Sequence, residues 1–277
     1  MLIENNCFCW CGNCQYDVLI EGSASQNFKI LRCSNCGLVR TFPVPDYSMQ
    51  RYLNYGALNY VKNNKILADQ MRKILKEIMK FKASGRFLEI GSSIGCLLGL
   101  AKNKNFEING VEPSKEAVKI AEKNVGEGII KNCSFEEANF PDNYFDVVAM
   151  NHVLEHVLDL NGMFSRIKNV LKKDGIIFIG VPNFDGAFRK ITKKSWPGLR
   201  SNEHIWQFEP KIIKKILKAS GFKVIKVKKT FSRNPKSIAS FPEGFLPKDF
   251  LLGILNWILG LFGLGDNMYI IAIKSNE

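Results

Sequence analysis

The 277-residue chain holds only three histidines, His152, His156 and His204. Imidazole is the side chain that exchanges protons near neutral pH without special tuning, so such chemistry has few places to occur here. Acid is also scarce: 26 Asp and Glu stand against 39 Lys and Arg, a formal net charge of +13. That deficit points toward anionic partners without choosing among nucleic acid, phosphorylated compounds and membrane surfaces. Residues 1–10 lack a basic stretch followed by an apolar run, so no secretory leader is expected. The longest apolar stretch, 250–264, is interrupted by Asn256. As a helix it would be about 22 Å long, short of the ~30 Å hydrocarbon core, so no spanning helix is expected. The expected location is cytoplasmic, with peripheral contact at the inner membrane face as a further expectation for 250–264 and its lysine neighbours.

What is abundant is cysteine at the front. Six of eight cysteines, Cys7, Cys9, Cys11, Cys14, Cys33 and Cys36, fall within the first 36 residues, while Cys96 and Cys133 stand alone. In a reducing compartment a cluster of this kind reads as metal ligands rather than disulfides. The clearest pattern is Cys11-Gly-Asn-Cys14, eighteen residues, then Cys33-Ser-Asn-Cys36-Gly37. Two such turns bring four thiolates together, a donor set that suits structural zinc. Gly12 and Gly37 supply the backbone freedom the turns need. Cys7 and Cys9 leave the ligand choice open, because Cys9 can replace Cys14 or Cys11. The organisation expected is a zinc ribbon over 1–45, a helical linker and cofactor lid over 46–84 with one amphipathic helix over 63–81, and an α/β domain over 85–277 carrying an insertion at 231–265.

From residue 86 the hydrophobic period switches repeatedly between strand and helix. Strands are expected at 86–90, 107–112, 128–132, 145–150, 176–181, 222–229 and 268–274, and helices at 94–104, 114–124, 160–171 and 209–220, with Ser114 as a cap. That alternation predicts an α/β fold with a mostly parallel sheet covered on both faces and a ligand site at the carboxyl ends of its strands. The first strand runs into Glu89-Ile-Gly91-Ser92-Ser93-Ile-Gly95, and the second ends in Glu112-Pro113. The glycines permit a tight turn and close ligand approach, and the helix that follows offers unpaired N–H groups. Glu112 is placed to accept hydrogen bonds from ribose hydroxyls. Glu89 would repel a pyrophosphate but suits the ammonium of an amino acid, which favours S-adenosylmethionine (SAM) over a dinucleotide.

With these stretches in place, the chain resembles the class I SAM-dependent methyltransferases, in particular the bacterial and archaeal branch with an N-terminal zinc ribbon. The resemblance is carried by Cys33-Ser-Asn-Cys-Gly-Leu-Val39, Phe87-Leu-Glu-Ile-Gly-Ser-Ser-Ile-Gly95, Gly110-Val-Glu-Pro-Ser114, Phe145-Asp-Val-Val148, His152-Val-Leu-Glu-His156, Leu171-Lys-Lys-Asp-Gly175, Val181-Pro-Asn183, Glu203-His204 and Gly221-Phe222. It implies a Rossmann-like, seven-stranded sheet whose last strand is antiparallel. It also implies a cofactor loop at Glu89, Gly91, Ser92, Ser93 and Gly95, and a ribose contact at Glu112 and Pro113. Cys133, Ser134 and Phe135 would flank the adenine, and Asn151 would line the cofactor pocket. Ser93 replaces the glycine commonest in this loop.

Methyl transfer from a sulfonium is an in-line displacement, so the protein mainly aligns the acceptor and excludes water. A hydroxyl acceptor gains from a base near neutrality, and His152, His204 and His156 are the candidates. His152-x-x-Glu155-His156 also resembles the Glu-x-x-Glu-His that holds Mg²⁺ or Mn²⁺ in some O-methyltransferases of ubiquinone synthesis and of small RNA, on a helix where i, i+3 and i+4 share a face. One carboxylate is missing here, which counts against a hard Mg²⁺ site. The Asn/Asp-Pro-Pro-aromatic run of many amino-methylating enzymes is absent after Met150. The function expected is O-methylation of a small-molecule, sugar or lipid-linked acceptor. The alternatives are an RNA methyltransferase, favoured by the ribbon and the charge, and a non-catalytic SAM-fold binding module. The acceptor itself and the oligomeric state are not legible in the sequence.

Overall fold

A computed structural model describes residues 9–13, 15–22, 27–45, 64–230 and 264–275. Cys7, Cys14, most of the expected lid (46–63) and most of the expected insertion (231–263), including the apolar stretch, lie outside the described residues. Among the described residues no helix is long and apolar enough to cross a membrane.

Three short strands come first: β1 (Tyr16–Glu21), β2 (Lys29–Cys33) and β3 (Val39–Phe42). Helix α1 (Asn64–Ile78) follows, burying Met71, Leu75 and Ile78 against the larger sheet. Strands and helices then alternate: β4 (Gly85–Ile90), α2 (Cys96–Lys102), β5 (Phe106–Val111), α3 (Lys115–Val125), β6 (Ile130–Lys131), β7 (Phe145–Asn151), α4 (Leu160–Val170) and β8 (Leu171–Pro182). Short helix α5 (Ala187–Thr192) and strand β9 (Trp206–Gln207) precede α6 (Pro210–Ala219), β10 (Phe222–Thr230) and β11 (Asn267–Lys274). Two helix starts follow directly from the sequence: Ser114 Oγ accepts from Ala117 N, and Asp159 accepts from Gly162 N.

The larger sheet has seven strands in the order β10-β11-β8-β7-β4-β5-β6. Strands β4 to β8 pair in parallel, and β11 runs antiparallel to both β8 and β10. This is the α/β, mostly parallel, seven-stranded sheet expected, with the last strand reversed. Its central strands are buried on both faces and read as nearly continuous apolar runs, as in Phe145–Met150. The order reverses direction at β4 and β7, so their carboxyl ends frame the crevice where ligands bind in such sheets.

The second sheet is β1-β2-β3-β9. Its fourth strand comes from more than 160 positions later in the chain: Val39 pairs with Gln207 and Arg40 with Trp206. The cysteine-bearing module is therefore not built from the first 45 residues alone. Ile30 and Val39 pack against Phe184, Phe188, Trp196 and Leu199. The aromatics of 184–208 are thus largely packing residues, with Trp196 and Trp206 buried.

One local expectation is corrected. The His152–His156 stretch is not a regular helix with three side chains on one face. His152 has φ of +57°, and only a single 3-10 turn, Leu154–His156, follows. His152 N donates to Gly180 O, which ties this residue to neighbouring β8 instead of starting a helix.

Candidate active site

At the tip of β4 the chain turns through Gly91 (φ +70°), Ser93 (φ +48°) and Gly95 (φ +71°). A Cβ on Gly91 would lie 2.6 Å from Val153 Cγ2, so the turn after β7 presses directly on this loop. Gly91 N and Ser92 N both donate to Val111 O, joining the loop to the end of β5. Ser93 holds a left-handed backbone without being glycine, a sparsely populated state that the loop's hydrogen bonds maintain. One of these is Ser93 N donating to Glu112 Oε2 at 2.9 Å.

The two acids differ in surroundings. Glu112 is fully buried and receives Ser93 N on one oxygen and Ser114 N, at 2.8 Å, on the other. Each carboxylate oxygen still has acceptor capacity for a hydroxyl. Glu89 is buried with Oε2 unmatched by any hydrogen-bond donor among the described residues. Burial drives its carboxyl well above the usual range, against a hydrogen bond from the Leu98 backbone and with the Glu112 charge adding to the rise. A buried, unmatched carboxyl beside a glycine turn has the chemistry to accept an ammonium group. Ser92 Oγ is likewise buried and unmatched at this turn. The two acids fit an amino-acid-bearing nucleoside: Glu89 matches an ammonium and Glu112 matches ribose hydroxyls, while Gly91, Ser92, Ser93 and Gly95 spend their N–H groups within the loop and on Val111 and Glu112.

The remaining expected cofactor positions fall around the same edge. Pro113 follows Glu112, and Asn132 Nδ2 donates to the carbonyls of both. Cys133 and Ser134 are half-buried after β6, and Phe135 is buried with its ring under the Arg166 guanidinium. Asn151 ends β7, half-buried and paired with Gly180.

The three histidines meet here, gathered by a residue that sequence reasoning left in a minor role, Glu155. Its carboxylate is wholly buried, and Oε1 lies 3.0 Å from His152 Nδ1 and 3.9 Å from His204 Nε2. Burial opposes its ionisation, but the His152 hydrogen bond and the neighbouring imidazoles outweigh it and hold the carboxyl at about 2. An ionised oxygen only accepts, so His152 donates through Nδ1, which leaves Nε2 on the opposite edge of the ring. The His152 side chain is 47% exposed. His204 differs: it is 3% exposed, and Nδ1 donates to Gly198 O at 3.0 Å. Burial holds it neutral, down to about 3, although the Glu155 charge pulls the other way. His156 Nδ1 donates to Glu203 O at 3.0 Å, and its ring meets His204 edge-on at 4.9 Å. Of the three, His152 alone combines an exposed ring with a carboxylate that orients it.

Among the described residues two groups could hold a metal ion. Glu155, His156 and His204 place one donor atom each within 4.8 Å of one another. Cys9, Cys11, Cys33 and Cys36 do the same at the second sheet. Three of these four are expected ligands; Cys9 is the fourth among the described residues, and Cys14 lies outside them. The sulfurs of Cys9 and Cys36, Cys9 and Cys11, and Cys11 and Cys33 are 3.4, 3.6 and 3.7 Å apart. A tetrahedron with ~2.3 Å metal–sulfur bonds has edges of about 3.8 Å, so the spacing fits a zinc ion. Asn13 Nδ2, Asn35 Nδ2 and Leu38 N all point donors at these sulfurs, as thiolates require.

Comparison with known proteins agrees with this geometry. A family model described as a methyltransferase domain matches residues 63–227, more than half of the chain. An uncharacterised protein of Methanocaldococcus jannaschii is 33% identical over 169 residues, 61% of this chain and 78% of that protein. A ubiquinone biosynthesis O-methyltransferase of a Bradyrhizobium species is 30% identical over 101 residues, and the chain spans only 40% of it. Among solved structures, phosphoethanolamine N-methyltransferase 2 of Haemonchus contortus in complex with SAM shares the fold with a TM-score of 0.60 at 18% identity, over 94% of this chain and 71% of that one. The buried acids at two strand tips, the glycine turn between them and the matched family model lead to one conclusion: the chain belongs to the methyltransferase domain family and is a SAM-dependent methyltransferase.

Proposed function

We propose that the protein methylates a hydroxyl oxygen of a small-molecule, sugar or lipid-linked acceptor, with His152 taking the acceptor proton. The observation that carries this reading is the His152–Glu155 pair. A buried carboxylate fixes the imidazole tautomer and stabilises the imidazolium that forms, as in carboxylate–histidine pairs of hydrolases. The turn that bears the pair packs against the cofactor loop at Gly91. SAM, held by Glu89, the 91–95 turn and Glu112, supplies the electrophilic methyl group. Around it, His152 Nε2 accepts the hydroxyl proton while the oxygen–carbon bond forms and the carbon–sulfur bond breaks, leaving S-adenosylhomocysteine. His204 and His156 act behind this pair, as packed neighbours of Glu155. The ubiquinone O-methyltransferase relative supports an oxygen acceptor; the Haemonchus neighbour, named for a nitrogen acceptor, supports the fold alone. The four thiolates hold zinc in a structural role.

The test pairs cofactor binding with label transfer. Calorimetry with S-adenosylhomocysteine is expected to give the same affinity, within about twofold, for wild type and His152→Ala. Transfer of labelled methyl from SAM into fractionated cell extract is expected to fall on the order of 10²–10⁴-fold in the variant. Label in lipid, glycan or small-molecule fractions supports the reading, and label in RNA or protein, or undiminished transfer by His152→Ala, overturns it.

A second reading is favoured by the Glu155–His156–His204 group. Both imidazoles donate Nδ1 to backbone carbonyls, as the second shell of metal-bound histidines does, and His204 turns Nε2 toward the carboxylate. A borderline divalent ion there would place positive charge beside the acceptor oxygen. Metal analysis separates the readings: one ion per chain, lost from Cys36→Ser, leaves His152 as the base, whereas a second ion, lost from His204→Ala, favours metal assistance.

A further inference from the structure

The second sheet and the histidine group share a seam. Thr41, in β3, is fully buried and spends both of its donors on two consecutive residues. Its hydroxyl donates to His204 O at 2.7 Å, and its backbone N donates to Ile205 O at 2.9 Å. The other side of that segment grips the Glu155 turn: Ile205 N donates to Glu155 O at 2.8 Å, and Trp206 Nε1 donates to Val157 O at 2.6 Å. Residues 204–206 are thus bonded to β3 on one side and to the turn carrying Glu155 and His156 on the other.

The strand bearing Thr41 is itself set by the thiolates. Strands β2 and β3 form a hairpin whose loop is the Cys33–Cys36 turn, closed by Gly37 N to Cys33 O and Cys33 N to Leu38 O. Leu38 N also donates to Cys36 Sγ. An ion on these sulfurs would pin the loop that sets the register of β3, and therefore where Thr41 meets His204.

We infer that the thiolate module is a positioning element of the methyl-transfer site, with Thr41 as the positioning residue. Thr41 holds the His204–Ile205 backbone, that segment holds the Glu155 turn, and Glu155 orients His152. The inference rests on reading His152 as the proton acceptor. It gives the ribbon a task at the reaction centre. The cofactor acids belong to the other sheet: Glu89 lies near the end of β4 and Glu112 directly follows β5.

With only three histidines, each imidazole can be followed in the full-length protein by ¹⁵N-histidine NMR, whose ring shifts report the tautomer directly. Thr41→Val removes the hydroxyl at nearly constant shape, and Thr41→Ser retains it. In Thr41→Val the His204 and His152 ring signals are expected to leave their fixed-tautomer pattern for that of an averaged imidazole. Thr41→Ser is expected to keep the wild-type pattern. Affinity for S-adenosylhomocysteine should stay within about twofold in both. Unchanged ring signals in Thr41→Val overturn the inference. If that variant does not fold, wild-type protein stripped of metal by a chelator gives the same decision: the ring signals either lose their fixed pattern with the ion, or persist without it and reject the coupling. Failure of untreated wild type to bind S-adenosylhomocysteine would count against the proposed function instead.

Discussion

Glu89 and Glu112 are carboxyls of equal burial with opposite prospects. Two backbone N–H groups compensate Glu112, so it is prepared for neutral hydroxyls. Glu89 has an unmatched oxygen and a carboxyl raised by burial, so in the free protein it binds its proton more tightly than an exposed carboxyl does. An ammonium docking on it restores the charged form and expels that proton. Binding of S-adenosylhomocysteine is therefore expected to release the proton held by the raised Glu89 carboxyl and to tighten as pH rises through the range in which that carboxyl titrates. Calorimetry in buffers of different ionisation enthalpy reads the release directly, and Glu89→Gln should abolish it while weakening binding. The positions of both acids were legible in the sequence because each closes an apolar strand before a turn residue. The partnership of His152 with Glu155 was only half legible. Their spacing was visible, but the spacing implied a helix, whereas the contact depends on His152 taking a left-handed backbone that its bond to Gly180 stabilises.

Elements with strong periodicity were read closely: α3, expected at 114–124, spans Lys115–Val125 with Ser114 as its cap. Replacing Ser114 with Ala is expected to cost about 1 kcal/mol in denaturant unfolding, because Ala117 N loses its acceptor. Strand β8 was read short. The polar run Lys172-Lys173-Asp174-Gly175 looks like a helix stop, yet it continues the strand beyond a register shift opposite Phe145 and Val147. Strand β9 is two residues long and has no periodicity to detect. The loop after β4 carries a sharper test. At Gly91 a methyl group would meet both a φ of +70° and Val153 Cγ2 at 2.6 Å. Gly91→Ala should therefore shift the Val153 turn against the cofactor loop and weaken S-adenosylhomocysteine binding at least tenfold. Gly128 has a similar φ of +73° but open space at its Cβ position. Gly128→Ala pays only the backbone cost, about 1 kcal/mol of stability, and should leave that affinity unchanged.

At the scale of the whole molecule, +13 of net charge has to be carried without driving the covering layers apart. The lysines of β10 show how one layer is held. Lys226 reaches Glu77 on α1 at 2.6 Å, Lys80 reaches the same carboxylate at 2.8 Å, and Lys228 stands 3.9 Å away. One acid thereby fastens the helix that follows the cysteine module to the edge strand of the large sheet. Its partners lie 149 and 151 positions further along, a meeting that no local pattern reveals. Burial works against the charged form of Glu77, but the two nearest ammonium groups prevail and hold its carboxyl at about 2. In the unfolded chain the same group titrates near 4.3, so folding favours its deprotonated form. The stabilisation is fully present above the unfolded value and is lost as the pH falls through about 2, below which both states are protonated. Because the lysines are partly exposed, the contribution at neutral pH is on the order of 1–2 kcal/mol rather than the full value of the shift. Glu77→Gln should accordingly lower the unfolding midpoint at pH 7. The gap between variant and wild type should narrow steadily as the pH falls below the unfolded carboxyl's value and close only below about 2, as followed by thermal melts in acidic buffers. A gap that stays constant across that range would mean that Glu77 contributes packing rather than charge, and that the lysine-rich strand is held to α1 by its apolar neighbours alone.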